Sequence, residues 1–338
     1  MHSHAPDTTG AVTQIVAIGD SLTDDCTHGA KQVVDAALDS TANYPGEPYY
    51  QGCFFSSGPT YAVVAAGLLN VSLTDYAVGG ATSGAVIGSL HVAAGFGNNT
   101  AATVVEVPSA IEQAEAYIAS QNGTVPTDAL YIVFIGANDY LHTIEQGANA
   151  TVEEVLMYTG EAMDMLYVAG ARVFLTQTQF SYGSTPGFAS AGPEAVMVGN
   201  KVTRGHNEAL APFLAEFATE HLEASIITFD FAAFLVGVSQ NATALGFTDT
   251  TTPCYTGAVA GTSTAASNPA AACANPDQHI FWDGEHPTGH THQLWGEALA
   301  AQIRPIMTPA FSSSSSRKLL KKAVRGAMDN SMVHGCPL

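Results

Sequence analysis

Basic residues are scarce: the 338-residue chain has ten Lys and Arg against thirty Asp and Glu. Five of the ten, Arg317, Lys318, Lys321, Lys322 and Arg325, stand in the last 22 residues beside one acid, Asp329, so the remainder carries a net charge of −24. A surface of that sign repels nucleic acid, anionic lipid headgroups and pectate-like polymers, and it suits neutral substrates. Charged residues of either sign make up only 12% while hydrophobic ones reach 46%, which excludes a disordered chain and argues for a globular one. No apolar run reaches the roughly 20 residues that span a bilayer, so no transmembrane helix is expected. The start, Met1-His2-Ser3-His4-Ala5-Pro6, lacks the apolar core of a secretory signal and reads as a mature chain given a new start. Nothing in the length forces a second domain.

Cysteines are also few, five in all. Cys254 and Cys273 bracket a Gly-, Ala-, Thr-, Ser- and Pro-rich segment that needs a staple, and Cys26 and Cys53 lie in two loops leaving one edge of the predicted sheet. Cys336 is left over in the tail. Two bridges and one free thiol is the most economical arrangement, though spacing leaves the pairing open. Glycosylation sequons begin at Asn70, Asn98, Asn122, Asn149 and Asn241, most in predicted loops or at element ends. Sequons and cysteines together indicate a secreted glycoprotein with disulfides.

What the chain does have is a regular alternation. Apolar, β-branched runs at 13–19, 73–78, 130–135, 172–176 and 225–231 read as strands. Helical patterns at 57–69, 109–121, 151–169, 194–221 and after Thr288 lie between and beyond them. This predicts an α/β three-layer αβα sandwich with a five-stranded parallel sheet. Residues 24–56 show little periodicity and read as a long loop walling a site, and 246–280 as a flap beside it. The expected organisation is an N-terminal extension (1–12), a folded domain (13–310) closed by Pro305 and Pro309, and a Ser-rich linker with a basic tail (311–338). The tail has apolar residues at helical spacing with basic ones opposite, so weak membrane contact, or contact with the acidic body, stands against a solvated tail.

Four short stretches carry the chemistry. The first strand stops at Gly19-Asp20-Ser21-Leu22, leaving a serine at the carboxyl edge of the sheet, where open α/β proteins bind ligands. The others are Val78-Gly79-Gly80-Ala81-Thr82, Gly136-Ala137-Asn138-Asp139 and Asp283-Gly284-Glu285-His286-Pro287. In this order they resemble the SGNH (GDSL-type) hydrolase superfamily over about residues 13 to 304, and Phe55-Ser56-Ser57-Gly58-Pro59 is similar to a segment of its plant and fungal members.

The resemblance implies a flavodoxin-like strand order and a catalytic set. Ser21 would be the nucleophile, His286 the general base and Asp283 its orienting partner, since a serine hydroxyl needs both to react at neutral pH. The oxyanion hole would consist of the Ser21 N–H, the Gly80 N–H and the Asn138 side-chain amide, with Gly80 preferred to Gly79 because Ala81-Thr82 follows it. Asp24 and Asp139 would brace the loops. His286 with His290 or His292 also has metal-ligand spacing, but Pro287 places His286 ahead of the helix, so no metal is expected. Tyr49, Tyr50, Phe54 and Phe55 stay unassigned between pocket and core.

The expected activity is hydrolysis of carboxylic esters through an acyl-serine intermediate, without cofactor, by a monomer. The resemblance to plant and fungal extracellular members, notably in the approach Phe281-Trp282-Asp283, implies activity on acetylated sugars or simple acyl esters. The expected substrates are short acyl, above all acetyl, esters of neutral carbohydrates, either small molecules or polysaccharides. A lipase, phospholipase or acyltransferase on the same scaffold, or an idle binding module, are the rival readings.

Overall fold

A computed structural model describes residues 12–307 except 40, 42, 95, 97–99 and 260–267, with backbone alone at 145 and 146. Residues 1–11 of the expected extension, the linker and basic tail, Cys336 and the sequon at Asn98 lie outside the described residues.

Five strands, β1 (Gln14–Gly19), β2 (Ser72–Asp75), β5 (Ala129–Phe134), β6 (Val173–Gln177) and β7 (Ser225–Phe229), form one parallel sheet in the order β2-β1-β5-β6-β7. That is the flavodoxin-like order, with its switch point beside β1. Two further strands, β3 (Gly88–Val92) and β4 (Thr103–Val107), make a separate antiparallel hairpin. The helices are α1 (Ala30–Leu38), α2 (Tyr61–Leu69), α3 (Ala110–Ser120), α4 (Ala137–Gln146), α5 (Val152–Ala169), α6 (Pro186–Ala191), α7 (Pro193–Glu220), α8 (Phe231–Gln240) and α9 (Gly289–Met307).

Strand periodicity divides the core. Ile15 and Ala17 of β1, with Leu130, Ile132 and Phe134 of β5, face α2, α8 and α9, where Tyr61, Phe231 and Trp295 stack. Val16 and Ile18, with Tyr131 and Val133, face α3, α5 and α7. Because successive side chains point to opposite faces, a run buried throughout needs helices on both sides. Capping boxes fix where two of those helices start: Ser109 with Glu112 at α3, and Thr151 with Glu154 at α5.

Several expectations are corrected. The stretch 24–56 is not all loop, since α1 lies within it, burying only Ala30 and Val34. The helix expected from 57 starts at Tyr61 with Thr60 at its cap position, and Ser57 Oγ accepts the Gly289 N–H at the start of α9. The second strand ends at Asp75, not 78, and Pro305 lies inside α9, which runs on to Met307. Among the described residues no helix is long and apolar enough to cross a membrane.

Candidate active site

β1 delivers its serine through a turn built by the residue before it. The Asp20 carboxylate accepts the Leu22 N–H at 3.0 Å, and its carbonyl accepts the Thr23 and Asp24 N–H groups. The chain therefore reverses at once, and Ser21 stands half-buried at the sheet edge. Gln113 of α3 pins the strand end from the side: its amide donates to the Gly19 carbonyl and accepts the Gly19 N–H, both at 3.0 Å. Sequence reasoning gave Gln113 no role, and no local signal distinguishes it from any other helical glutamine.

At the far end of the chain, the turn before α9 brings His286 Nε2 to 2.8 Å from Ser21 Oγ. His286 Nδ1 lies 3.0 and 2.9 Å from the two oxygens of Asp283, which is fully buried. A proton on Nδ1 shared with the carboxylate leaves Nε2 as the acceptor facing the serine. Asp283 also accepts the N–H groups of Glu285 and His286 at 2.8 Å and the Tyr49 hydroxyl at 2.9 Å. Burial alone would raise the Asp283 pKa, but the His286 charge and the hydrogen bonds from His286 and the Glu285 N–H hold it below the ordinary value. For His286, burial pulls down while the charge and hydrogen bond of Asp283, with Glu285 and Asp20 adding to them, pull up, and the balance raises the imidazole above 6.5. Asp20 beside them is pushed up to about 7 by burial.

The two middle stretches meet the same edge. Asp24 Oδ2 accepts the Gly79 N–H at 2.9 Å, and Asp139 accepts both the N–H and the hydroxyl of Ser83 at 2.8 Å. Both carboxylates thus tie one loop to another. Gly80 adopts the left-handed region at φ +79°, where a Cβ would stand 2.9 Å from the Ser89 carbonyl oxygen, so the turn requires glycine. Asn138, at the start of α4, donates one amide hydrogen to the Ala81 carbonyl at 2.8 Å.

Beside Ser21 and His286 lies a cleft of about 30 Å³. Asn138 and Asp20 contribute to its wall, and the apolar lining comes from Leu22, Leu141, Phe180, Tyr182 and Phe188. Gly80 is not among the lining residues, nor are Tyr49, Tyr50, Phe54 and Phe55. Phe55 instead packs against the His286 ring at 5.5 Å. None of the described residues of the 246–280 stretch lines the cleft. The stretch pairs just ahead of Asp283, where Cys254 and Tyr255 donate to the carbonyls of Phe281 and Trp282.

Disulfides join Cys26 to Cys53 and Cys254 to Cys273. The described sequon residues Asn70, Asn122, Asn149 and Asn241 are all exposed. His290 and His292 point away from Ser21: the first meets the Asp277 carbonyl and the second accepts the Tyr61 N–H.

Fold and site together define an SGNH-type hydrolase scaffold. The chain matches the family model of the GDSL-like lipase/acylhydrolases over residues 15–299, and it belongs to that family. It is 31% identical over 197 residues to a GDSL esterase/lipase of Arabidopsis thaliana, covering 54% of each chain. It is 26% identical over 186 residues to an inactive GDSL esterase/lipase-like protein of the same plant, covering 50% of this chain and 44% of the relative. A solved structure of a lipolytic G-D-S-L family member from Veillonella parvula aligns with 88% of this chain and 100% of its own, at 14% identity and a TM-score of 0.44. The chain spans about half the length of those two Arabidopsis relatives.

Proposed function

We propose that the protein is an active carboxylic-ester hydrolase that works through an acyl-serine intermediate. The observation that carries this reading is the continuous hydrogen-bonded path from Ser21 Oγ through His286 to Asp283, with both steps within 3.0 Å. Relatives named inactive show that family membership alone does not decide turnover. A poised serine favours turnover over an idle binding module.

In this mechanism His286 Nε2 takes the Ser21 proton as Oγ attacks the ester carbonyl. Asp283 stays ionised and stabilises the imidazolium. The developing oxyanion is received by the Ser21 N–H, the Gly80 N–H and the second amide hydrogen of Asn138. The commitment of the Gly79 N–H to Asp24 supports Gly80 as the middle donor. Collapse breaks the ester C–O bond, and His286 returns its proton to the leaving alkoxide. Water, deprotonated by His286, then attacks the acyl-serine and releases the acid and free Ser21.

The small cleft supports short acyl groups, acetyl foremost, and the acidic body supports a neutral carbohydrate as the alcohol part. Two disulfides and four exposed sequon residues support a secreted, glycosylated protein. A chromogenic acetyl ester tests the reading: the wild type should turn it over and Ser21→Ala should not. Ser21→Ala hydrolysing at the wild-type rate would refute the assignment.

A further inference from the structure

The Asp283 carboxylate has four hydrogen-bond donors, and three of them, the Glu285 N–H, the His286 N–H and His286 Nδ1, belong to its own turn. Such donors shape the turn but move with it. The fourth is Tyr49 Oη, 234 residues away in the chain, at 2.9 Å from Oδ2, the oxygen that also meets His286 Nδ1 at 2.9 Å. Only this bond references the carboxylate to another part of the molecule among the described donors.

The Tyr49 ring is itself held on several sides. It is buried, with edge-on contacts to Phe55 at 6.4 Å, Tyr255 at 5.6 Å and Trp282 at 6.0 Å. Phe55 in turn lies against the His286 ring. One disulfide lies in this cage and the other closes the loop that carries Tyr49. Cys254 packs within it and is joined to Cys273, while Cys53, four residues after Tyr49, is joined to Cys26. The Cys26 N–H is held by Asp24, the carboxylate that also takes the Gly79 N–H. The Tyr49 hydroxyl is thus presented by a disulfide-closed loop and packed against the second disulfide.

We propose that Tyr49 is a positioning residue of the reaction, its hydroxyl fixing the Asp283 carboxylate against the His286 imidazole from a loop closed by one disulfide and a cage that contains the other. This rests on the roles given above to Ser21, His286 and Asp283. A carboxylate held by a charge-assisted hydrogen bond keeps its plane, and the imidazole keeps the orientation that aims Nε2 at Ser21 Oγ. The same donor draws charge from Asp283 and so restrains how strongly the carboxylate stabilises imidazolium. The other charged groups acting on His286 are Asp20 and Glu285, and the buried His292 lies within electrostatic reach; substitution at Tyr49 changes none of them.

The test is Tyr49→Phe, which keeps the ring and its three aromatic contacts while deleting the hydroxyl. Its kcat/KM on an acetyl ester should fall about tenfold, the loss falling on kcat with KM changed less than about twofold. The acid limb of its pH–rate profile should move to higher pH, because Asp283 with one donor fewer holds the imidazolium more strongly. Tyr255→Phe is the control: it removes another hydroxyl from the cage, one that accepts the Asn268 N–H and does not touch Asp283. Its acid limb should stay at the wild-type position. A Tyr49→Phe variant with kcat/KM within about twofold of wild type and an unmoved limb overturns the proposal. So does an equal shift in Tyr255→Phe, which would reduce the effect to packing. Ser21→Ala run alongside separates the two levels: if it turns over ester at the wild-type rate, the triad reading falls and takes this proposal with it. If it is inert while Tyr49→Phe behaves as wild type, only the role of Tyr49 falls.

Discussion

Asp24 accepts the Gly79 N–H at 2.9 Å across 55 residues of sequence, and the same carboxylate takes the N–H groups of Cys26 and Ala30. One buried acid therefore joins the serine turn, the start of α1 and the Gly79-Gly80 turn. Asp24→Asn keeps the size but offers one acceptor oxygen in place of two, and its NH2 group would face a backbone N–H. The variant should lose about 1–3 kcal/mol of stability. Its kcat/KM should fall about 10- to 100-fold because the Gly80 N–H is no longer held in register. Denaturant unfolding and acetyl-ester kinetics check both; wild-type values in each would show that the turns hold their places without the carboxylate.

The His286 pKa gives a pH prediction with a definite sign. Burial lowers it, Asp283 with Glu285 and Asp20 raises it, and the result lies above the ordinary 6.5. The base must be neutral to accept the Ser21 proton, so kcat/KM should fall on the acid side with an apparent pKa above 6.5. Asp283→Asn should move that limb downward, and it should cost about 10³- to 10⁴-fold in kcat through the wrong tautomer. A wild-type limb below 6.5 would contradict the electrostatics described for the pair.

The sheet and the Ser21–His286–Asp283 geometry were legible because both rest on short-range patterns. Ile15 to Ile18 form an unbroken apolar run, and Asp283 and His286 share one turn. Tyr49 was not legible, since an aromatic in an aperiodic loop has the same local pattern whether it packs in the core, lines a pocket or donates to a distant carboxylate. The cleft walls were missed for a related reason: Phe180 and Tyr182 sit in a stretch rich in Ser, Gly and Thr, which masks an apolar surface made only on folding. The 246–280 stretch was placed next to Asp283 in sequence, and its described residues pair with the backbone of Phe281 and Trp282 without lining the cleft. Nine-residue α1 buries two side chains, too few to show a helical period.

A second pH effect concerns stability. His292 is buried beside the stacked Tyr61 and Trp295, and burial lowers its pKa from 6.5 to about 3. The unfolded chain then binds a proton that the folded chain refuses, so this group's contribution is present above 6.5 and is lost as pH falls toward about 3. Within that window it steepens the acid loss by at most about 1.4 kcal/mol per pH unit. Buried Asp24 and Asp139, raised to about 6, act in the opposite sense between 3.8 and 6, so the useful quantity is a difference between variants. Relative to His292→Gln, the wild type should lose unfolding free energy as pH drops from 6.5 to 4. Parallel stability curves for the two proteins would mean that His292 is not held neutral.

Acyl-chain preference is the most direct consequence of the cleft. Its volume, about 30 Å³, admits only a few atoms beyond the ester carbonyl, although its walls are apolar. An open apolar site would reward each added methylene by roughly 0.8 kcal/mol, close to fourfold in kcat/KM. A narrow one rewards the first carbons and then penalises the rest where further atoms must displace packed side chains. The wild type should therefore peak at about two to four acyl carbons. Phe188 is buried, stacks on Tyr182 at 6.3 Å and lines the cleft, so Phe188→Ala opens space at the wall. That variant should be less stable by about 3 kcal/mol yet raise the hexanoate-to-acetate ratio of kcat/KM about three- to tenfold. The measurement is an acyl series of p-nitrophenyl esters with both proteins. A wild-type maximum at about eight carbons or beyond would sink the short-acyl reading in favour of a lipase, and an unchanged ratio in Phe188→Ala would show that the acyl chain leaves Ser21 by another path.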